Sequence, residues 1–209
     1  MKNAYHATPA GVIEFWFEYG SCYAYLSAMT IEDAAKKRGA SVLWRPFFLG
    51  AILHELKVPA AFEIAAKREY MLADMSRQCV RMGIPWTRPS TFPRLGLLPL
   101  RIAALAMGEP WLPAFSRDVM VLNFALDRDI NDEETLAPLL RIRGLNPLEW
   151  LAAANSTEGK KCLREQTDQA RDRGIFGAPT FFVGNEMFWG SDRLTDALQA
   201  VRSEQCLLS

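Results

Sequence analysis

The sequence contains very little histidine, and this disfavours several kinds of hydrolytic site. Only His6 and His54 occur among its 209 residues. His6 is expected in an N-terminal arm, which leaves His54 as the only imidazole for a Ser-His-Asp triad, and no GxSxG motif accompanies it. The pair His54-Glu55 lacks the second histidine of an HExxH zinc site. Hydrolase and zinc-protease chemistry are therefore poor explanations of this chain.

The chain also lacks an excess of either charge and any pattern for binding phosphates or crossing membranes. Lysine plus arginine number 24, as do aspartate plus glutamate, so no overall field attracts nucleic acid or an anionic membrane. Neither GxGxxG nor GxxxxGKS/T is present, and no uncharged stretch approaches the roughly 20 residues of a spanning helix. The N-terminus has no apolar signal segment, so we expect a cytoplasmic protein.

The four cysteines, at positions 22, 79, 162 and 206, are scattered along the chain. Their spacing fits neither a CxxC zinc pair nor a compact disulfide framework. The simplest interpretation is free thiols in a reducing compartment, and no metal site is predicted.

The N-terminal part has the pattern of a βαβ unit. A strand is predicted over Val12 to Tyr19 from its β-branched and aromatic residues. Apolar residues then recur at helical spacing from Tyr23 to Arg38, and Gly39 is suited to end that helix. A second strand is predicted from Ser41 to Phe48. The right-handed crossover rule makes the two strands parallel.

The rest of the chain adds a helical region and a second half of a sheet. Helical patterns run from about Ala60 to Arg173, interrupted by a proline-rich irregular loop, Ile84 to Pro93. A hairpin then joins Thr180–Val183 to Glu186–Trp189, and a helix follows from Ser191. The order predicts an α/β, thioredoxin-like fold with a large all-helical insertion. Residues 11–58 and 174–205 form the thioredoxin-like domain in this prediction, and residues 59–173 form the insertion.

Ser21 stands where a thioredoxin-like protein would keep its first redox cysteine, at the junction of a strand and a helix. Serine is a favoured N-cap residue, so one interpretation is structural. The unpaired N–H groups of the same helix end also favour negative charge, and a second, compatible interpretation is that Ser21 donates a hydrogen bond to the thiolate of a bound ligand. Ala24 occupies the position of a resolving cysteine, which disfavours a dithiol oxidoreductase.

Two C-terminal segments suggest where a peptide ligand binds. Ala178-Pro179 is predicted to be a cis-proline turn, although an ordinary trans proline at the start of an edge strand is the alternative. A cis bond there would expose the backbone of Ala178 to an extended peptide such as glutathione. Ser191 or Asp192 is predicted to cap the last helix, and the same helix end could hold the glutamyl end of glutathione, with Asp192 meeting its amino group.

These segments together resemble the group of 2-hydroxychromene-2-carboxylate isomerases and kappa-class glutathione transferases. The resemblance rests on Phe15-Trp16-Phe17-Glu18 leading into Ser21, on Trp44-Arg45-Pro46, on Gly83-Ile84-Pro85, and above all on Phe176 to Thr180 and Phe188 to Leu194. It extends from about Val12 to Leu198. The fold of this group is a DsbA-like thioredoxin domain interrupted by a helical domain, and the resemblance implies the same fold here.

The resemblance also implies roles for particular residues. Ser21 matches the catalytic serine that hydrogen-bonds the glutathione sulfur. The matches to glutathione contacts are Ala178 and Pro179 as the backbone clamp, Ser191 and Asp192 at the glutamyl end, and Lys67 at the glycyl carboxylate. An ordinary surface lysine is the alternative for Lys67.

Three positions depart from the group's pattern. Cys22 replaces the usual proline after the serine, and it is interpreted either as a simple substitution or as a thiol able to form a mixed disulfide with glutathione. Leu95 and Val58 stand where polar residues are expected. These departures bear on the substrate more than on glutathione.

The leading hypothesis is a glutathione-dependent cis–trans isomerase of 2-hydroxychromene-2-carboxylate or a related aromatic-degradation intermediate, acting as a homodimer. Trp86, Arg88 and Phe92 are the candidates for the pocket of the aromatic substrate. The alternatives are a kappa-like glutathione transferase or peroxidase, and a glutathione- or peptide-binding module without catalysis.

Overall fold

The computed structural model describes residues 9–57 and 59–207, so His6 and Val58 lie outside the described chain. In chain order the elements are β1 (Val12–Phe17), α1 (Cys22–Lys36), β2 (Ser41–Pro46), α2 (Leu49–Leu56), a 3-10 turn (Ala61–Glu63), α3 (Ala65–Met82), α4 (Leu97–Leu105), α5 (Leu112–Phe124), α6 (Glu133–Arg141), α7 (Pro147–Asn155), α8 (Thr157–Asp172), β3 (Thr180–Val183), β4 (Glu186–Trp189), a second 3-10 turn (Ser191–Arg193) and α9 (Leu194–Leu207). Within these residues no helix has both the length and the apolar character that crossing a membrane requires.

The first three elements form the predicted parallel βαβ unit. β1 pairs with β2 from Val12 opposite Ser41 to Phe17 opposite Pro46. Gly39, with a φ of 69°, turns the chain between α1 and β2, a conformation that glycine adopts without steric cost.

The predicted hairpin completes a mixed sheet with the order β2-β1-β3-β4 in the described part of the chain. β3 runs antiparallel to β1, with Trp16 opposite Thr180, and β4 runs antiparallel to β3. The C-terminal end of β1 therefore lies beside the start of β3. This register brings Ser21, which follows β1, next to Ala178 and Pro179, which precede β3.

β1 is a central strand, and both of its faces are covered. Phe15 stacks on Phe181 on one face, with ring centroids 5.6 Å apart. On the other face the buried Glu14 carboxylate pairs with Arg173 at 2.6 Å and accepts a hydrogen bond from Trp16 Nε1 at 2.9 Å. Glu14, the one acidic residue of β1, thus does not mark a solvent-facing side.

Helices α3 to α8 lie between α2 and β3 in sequence and share a core with the sheet. The Tyr25 ring of α1 stacks on Phe124 of α5 with centroids 5.4 Å apart, and the Trp86 ring stacks on the same Phe124 ring with centroids 5.8 Å apart. Each fully buried aromatic side chain contributes roughly 1.5–3 kcal/mol of hydrophobic stabilisation. The boundary between a thioredoxin-like domain and an insertion stays a prediction.

Two local differences from the sequence analysis concern the cavity described below. Leu49–Leu56 forms α2, for which the sequence analysis gives no element. The predicted helix from Ala60 begins instead with the 3-10 turn and becomes α3 only at Ala65. The predicted irregular loop Ile84 to Pro93 is confirmed, since it contains neither helix nor strand.

Candidate functional site

Ser21 is the N-cap of α1, as the sequence predicts. Its backbone is extended, with φ of −84° and ψ of 111°, and its Oγ accepts a hydrogen bond from the Ala24 N–H at 3.2 Å. The same hydroxyl donates to the backbone oxygen of Ala178 at 2.9 Å. The side chain is half-buried. Ser21 therefore joins the start of α1 to the segment before β3.

The Ala178-Pro179 peptide bond is cis, as predicted. The Pro179 carbonyl accepts a hydrogen bond from the Gly190 N–H at 3.0 Å, which ties this turn to the end of β4. The Ala178 carbonyl points to Ser21. A backbone group in this position is suited to pair with an extended peptide once the serine hydroxyl turns elsewhere.

A network behind Ser21 holds the preceding residues in place. Asn123 of α5 donates from Nδ2 to the Tyr19 carbonyl at 2.9 Å. Arg94, which is buried, donates to Asn123 Oδ1 at 2.8 Å and pairs with Asp127 at 2.8 Å. The Tyr19 hydroxyl lies 2.9 Å from Ser116 Oγ. The turn between β1 and Ser21 is thus fixed by buried polar groups of the helical region.

A cavity of about 930 Å³ opens in front of Ser21. Most of its wall is aliphatic or aromatic. The lining residues are Glu18, Gly20, Ser21, Cys22, Tyr23, Leu49, Leu53, Leu56, Pro59, Ala60, Phe62, Ala66, Lys67, Tyr70, Met71, Phe92, Phe176, Gly177, Ala178 and Trp189. Apolar cavities of this size with a few polar groups are typical of small-molecule sites.

Four residues of the predicted site line this cavity: Ser21, Lys67, Phe92 and Ala178. Lys67 is exposed on α3, and Phe92 meets the Phe62 ring edge-on, with centroids 6.3 Å apart. Pro179 follows Ala178 directly. The fold thus brings together residues that are up to 157 positions apart in sequence.

The other predicted residues lie outside the lining. Trp86 is packed on Phe124, and the Arg88 guanidinium forms an exposed ion pair with Glu69 at 2.7 Å. Leu95 is also outside it and is 44% exposed.

Ser191 and Asp192 start the 3-10 turn that leads into α9. Neither lines the cavity, although their neighbour Trp189 does. The Asp192 carboxylate is exposed and bound to the Arg193 guanidinium at 2.7 Å. Their contact with a ligand stays a prediction.

Glu18 is a cavity residue to which the sequence analysis gives no role. Its side chain is buried, and Oε2 accepts a hydrogen bond from the Leu49 N–H at 3.3 Å. Desolvation by burial raises the pKa of this carboxyl to about 7, and the hydrogen bond from Leu49 opposes the rise. A carboxyl with such a pKa can take up or release a proton near neutral pH. The only sign of this role in the sequence was the position of Glu18, an acidic residue directly before the turn that leads to Ser21.

The α2 helix supplies three cavity residues that the sequence analysis does not identify: Leu49, Leu53 and Leu56. Together with the buried Ile52 they recur at positions i, i+3, i+4 and i+7. This spacing is typical of one face of a helix, so the signal was present in the sequence.

Cys22 is the first residue of α1, and its side chain is only 1% exposed. Burial raises the pKa of its thiol to about 12. Thiolate is the reactive form of cysteine, so the environment of Cys22 favours a simple substitution over a mixed disulfide with glutathione. Nowhere in the described residues do three or more His, Cys, Asp or Glu side chains converge as they would around a metal ion.

Known proteins are similar in sequence to this chain over most of its length. A 2-hydroxychromene-2-carboxylate isomerase of Sphingobium xenophagum is 29% identical over 189 residues, which cover 87% of this chain and 93% of that protein. Glutathione s-transferase kappa 2 of Caenorhabditis elegans is 25% identical over 198 residues, or 88% of each protein.

A solved structure of 2-hydroxychromene-2-carboxylate isomerase has the same fold. Its TM-score is 0.84 at 22% identity, and the match covers 93% of this chain and 96% of that chain. The model of the DSBA-like thioredoxin domain family matches residues 12–202. Because this match takes in almost the entire sequence, the chain belongs to the DSBA-like thioredoxin domain family.

Proposed function

We propose that this protein is a glutathione-dependent cis–trans isomerase acting on 2-hydroxychromene-2-carboxylate or a related aromatic-degradation intermediate. The observation that carries the proposal is the Ser21 hydroxyl, which stands at a helix N-terminus in place of a redox cysteine and 2.9 Å from the Ala178 carbonyl. The similarity to a 2-hydroxychromene-2-carboxylate isomerase supports the proposed isomerisation, and the similarity to a kappa glutathione transferase supports glutathione as the cofactor. Cytoplasmic location and assembly as a homodimer stay predictions.

The residues around Ser21 fit a tripeptide thiol. When Ser21 turns its hydroxyl from the Ala178 carbonyl to the sulfur, that carbonyl becomes free to accept a peptide N–H. Lys67 at the cavity wall is the proposed partner of the glycyl carboxylate. Ser191 and Asp192 are proposed to hold the glutamyl end, with Asp192 exchanging Arg193 for the ligand's amino group.

Bound glutathione would supply a thiolate for reversible addition to a conjugated carbon, which is the chemistry that cis–trans isomerisation of such a compound needs. Ser21 and the unpaired N–H groups at the start of α1 stabilise this negative charge in place, which is electrostatic preorganisation. Glu18 is the proposed acceptor of the thiol proton, because it lines the same cavity and has a pKa of about 7. The substrate is proposed to lie against Phe92 and the α2 leucines.

A measurement of whether glutathione is consumed during turnover tests this proposal. The protein is mixed with glutathione and a panel of cis-conjugated aromatic carbonyl compounds that includes 2-hydroxychromene-2-carboxylate. We expect the cis compound to be converted to the trans isomer while the glutathione concentration stays constant. Net loss of glutathione with formation of a conjugate would establish the transferase alternative, and binding of glutathione without turnover would establish a binding module.

Lys67→Met is expected to weaken glutathione binding and to leave kcat unchanged. The ammonium is exposed, so its loss should raise the dissociation constant by about fivefold, the upper range for exposed ion pairs. Isothermal titration calorimetry with glutathione measures this. Lys160→Met, an exposed lysine on α8 outside the cavity, is the matched control. Equal affinities of the two variants would exclude Lys67 from the glutathione site.

A further inference from the structure

The charges of the cavity wall restrict the kind of acceptor molecule that can bind there. Among the described residues that line the cavity, Lys67 is the only cation, and the proposed function assigns it to glutathione. Glu18 carries no positive charge in either protonation state. Arg88 lies outside the lining and is bound to Glu69 at 2.7 Å. No cationic side chain of the described lining is therefore left for a second anion.

The hydroxyl and indole hydrogens of the wall belong to Ser21, Tyr23, Tyr70 and Trp189. The Tyr23 hydroxyl donates to Asp74 at 3.1 Å, and the Ser21 hydroxyl is assigned to the sulfur. The rest of the wall is mainly hydrocarbon and includes the leucines of α2 and the Phe176 and Trp189 rings, whose centroids are 4.9 Å apart. An acceptor in this space meets mainly apolar atoms.

We propose that the acceptor of this site is an uncharged, apolar, conjugated carbonyl compound, and that aromatic carboxylates are disfavoured. An anion that enters an apolar cavity without a cationic partner loses hydration that nothing replaces, whereas a neutral aromatic compound gains from burial of its surface. The inference rests on the proposed function, because glutathione is what occupies Lys67. Within the proposed range of substrates it selects the related intermediates that lack a free carboxylate.

A pair of ligands that differ only in charge tests this inference without any turnover. Benzylpyruvate and its methyl ester share an aromatic keto skeleton and have no alkene conjugated to the ketone, so a thiol cannot add to them as it would to the proposed substrate. Their binding is measured by calorimetry on the full chain saturated with S-methylglutathione. We expect the ester to bind about tenfold more tightly than the acid. Equal or tighter binding of the acid would overturn the proposal.

A cation placed in the wall should reverse this preference. Leu53 is half-buried on α2 and lines the cavity, so Leu53→Arg offers a guanidinium to the acid, and Leu53→Gln is the neutral control of similar length. We expect the acid to bind about tenfold more tightly to the arginine variant than to the glutamine variant. A folded arginine variant that binds the acid no better contradicts the proposal. If the arginine variant does not fold, the proposal is decided by the binding of benzylpyruvate and its methyl ester to the wild-type protein.

Glutathione affinity, measured separately, distinguishes this inference from the proposed function. Tight glutathione binding together with preference for the acid would overturn the inference and leave the function standing. Preference for the ester without glutathione binding would overturn the proposed function and with it the inference, because Lys67 would then be free to pair with an anion. Preference for the acid without glutathione binding would overturn both.

Discussion

In the Ser21→Ala variant we expect the pKa of the bound glutathione thiol to rise and kcat to fall by about 100-fold, the effect of removing one donor to a developing anion. The hydroxyl lies at the start of α1, where the backbone N–H groups already favour negative charge. Alanine keeps those N–H groups but donates nothing to the sulfur. Titration of the thiolate absorbance in the complex with glutathione measures the pKa directly, and steady-state kinetics measure kcat.

The fold of this variant should change little. The free energy of unfolding is expected to fall by about 1 kcal/mol, because the N-cap bond to the Ala24 N–H is lost. Ser27→Ala is the matched control: Ser27 is buried on the same helix, with its hydroxyl bonded to the Tyr23 carbonyl at 3.4 Å and outside the cavity lining. A thiolate titration that is the same in wild type and Ser21→Ala would remove Ser21 from the mechanism.

The fold class could be predicted from local patterns, because each half of the sheet has a clear signal. The helix that links β1 to β2 follows the strand directly, and only a parallel pair suits that connection. The Gly184-Asn185 turn marks the hairpin of β3 and β4, whose bounds are confirmed at Thr180–Val183 and Glu186–Trp189. The short helix α2 was missed although its leucines have helical spacing, because eight residues with Gly50 among them give a weak pattern.

The proximity of Ser21 to Ala178 could also be predicted, since it follows from the order of the strands. The contacts of Trp86 and Arg88 could not be predicted. Their partners Phe124 and Glu69 lie on the helices α5 and α3, and the loop sequence does not show how these helices pack against it. The position of Glu18 in the cavity could not be predicted either, because α2, whose Leu49 N–H it accepts, has only a weak signal in the sequence. β1 is a central strand with both faces covered, so Glu14 within it is buried, and Glu18 just beyond its end is buried as well.

The Glu18→Gln variant is expected to be more stable than the wild type at alkaline pH. Burial raises the pKa of this carboxyl from 4.5 to about 7, which corresponds to about 3 kcal/mol. The free energy of unfolding of the wild type is therefore highest below the unfolded-state pKa. It falls as the pH rises from 4.5 through 7, because the unfolded chain then releases the Glu18 proton while the folded chain still holds it. Glutamine stays neutral, and its oxygen can still accept the Leu49 N–H.

Urea unfolding of both proteins between about pH 5 and pH 8 measures this difference, which should grow from about 1 to about 3 kcal/mol. Glu109→Gln, at an exposed position before α5, controls for the loss of one carboxylate. If Glu18 accepts the thiol proton, the rise of kcat with pH near 7 should disappear in Glu18→Gln and persist in Glu109→Gln. Stability curves of wild type and Glu18→Gln that run parallel with pH would mean that Glu18 ionises in the fold without penalty, and the proton-acceptor role would fail with it.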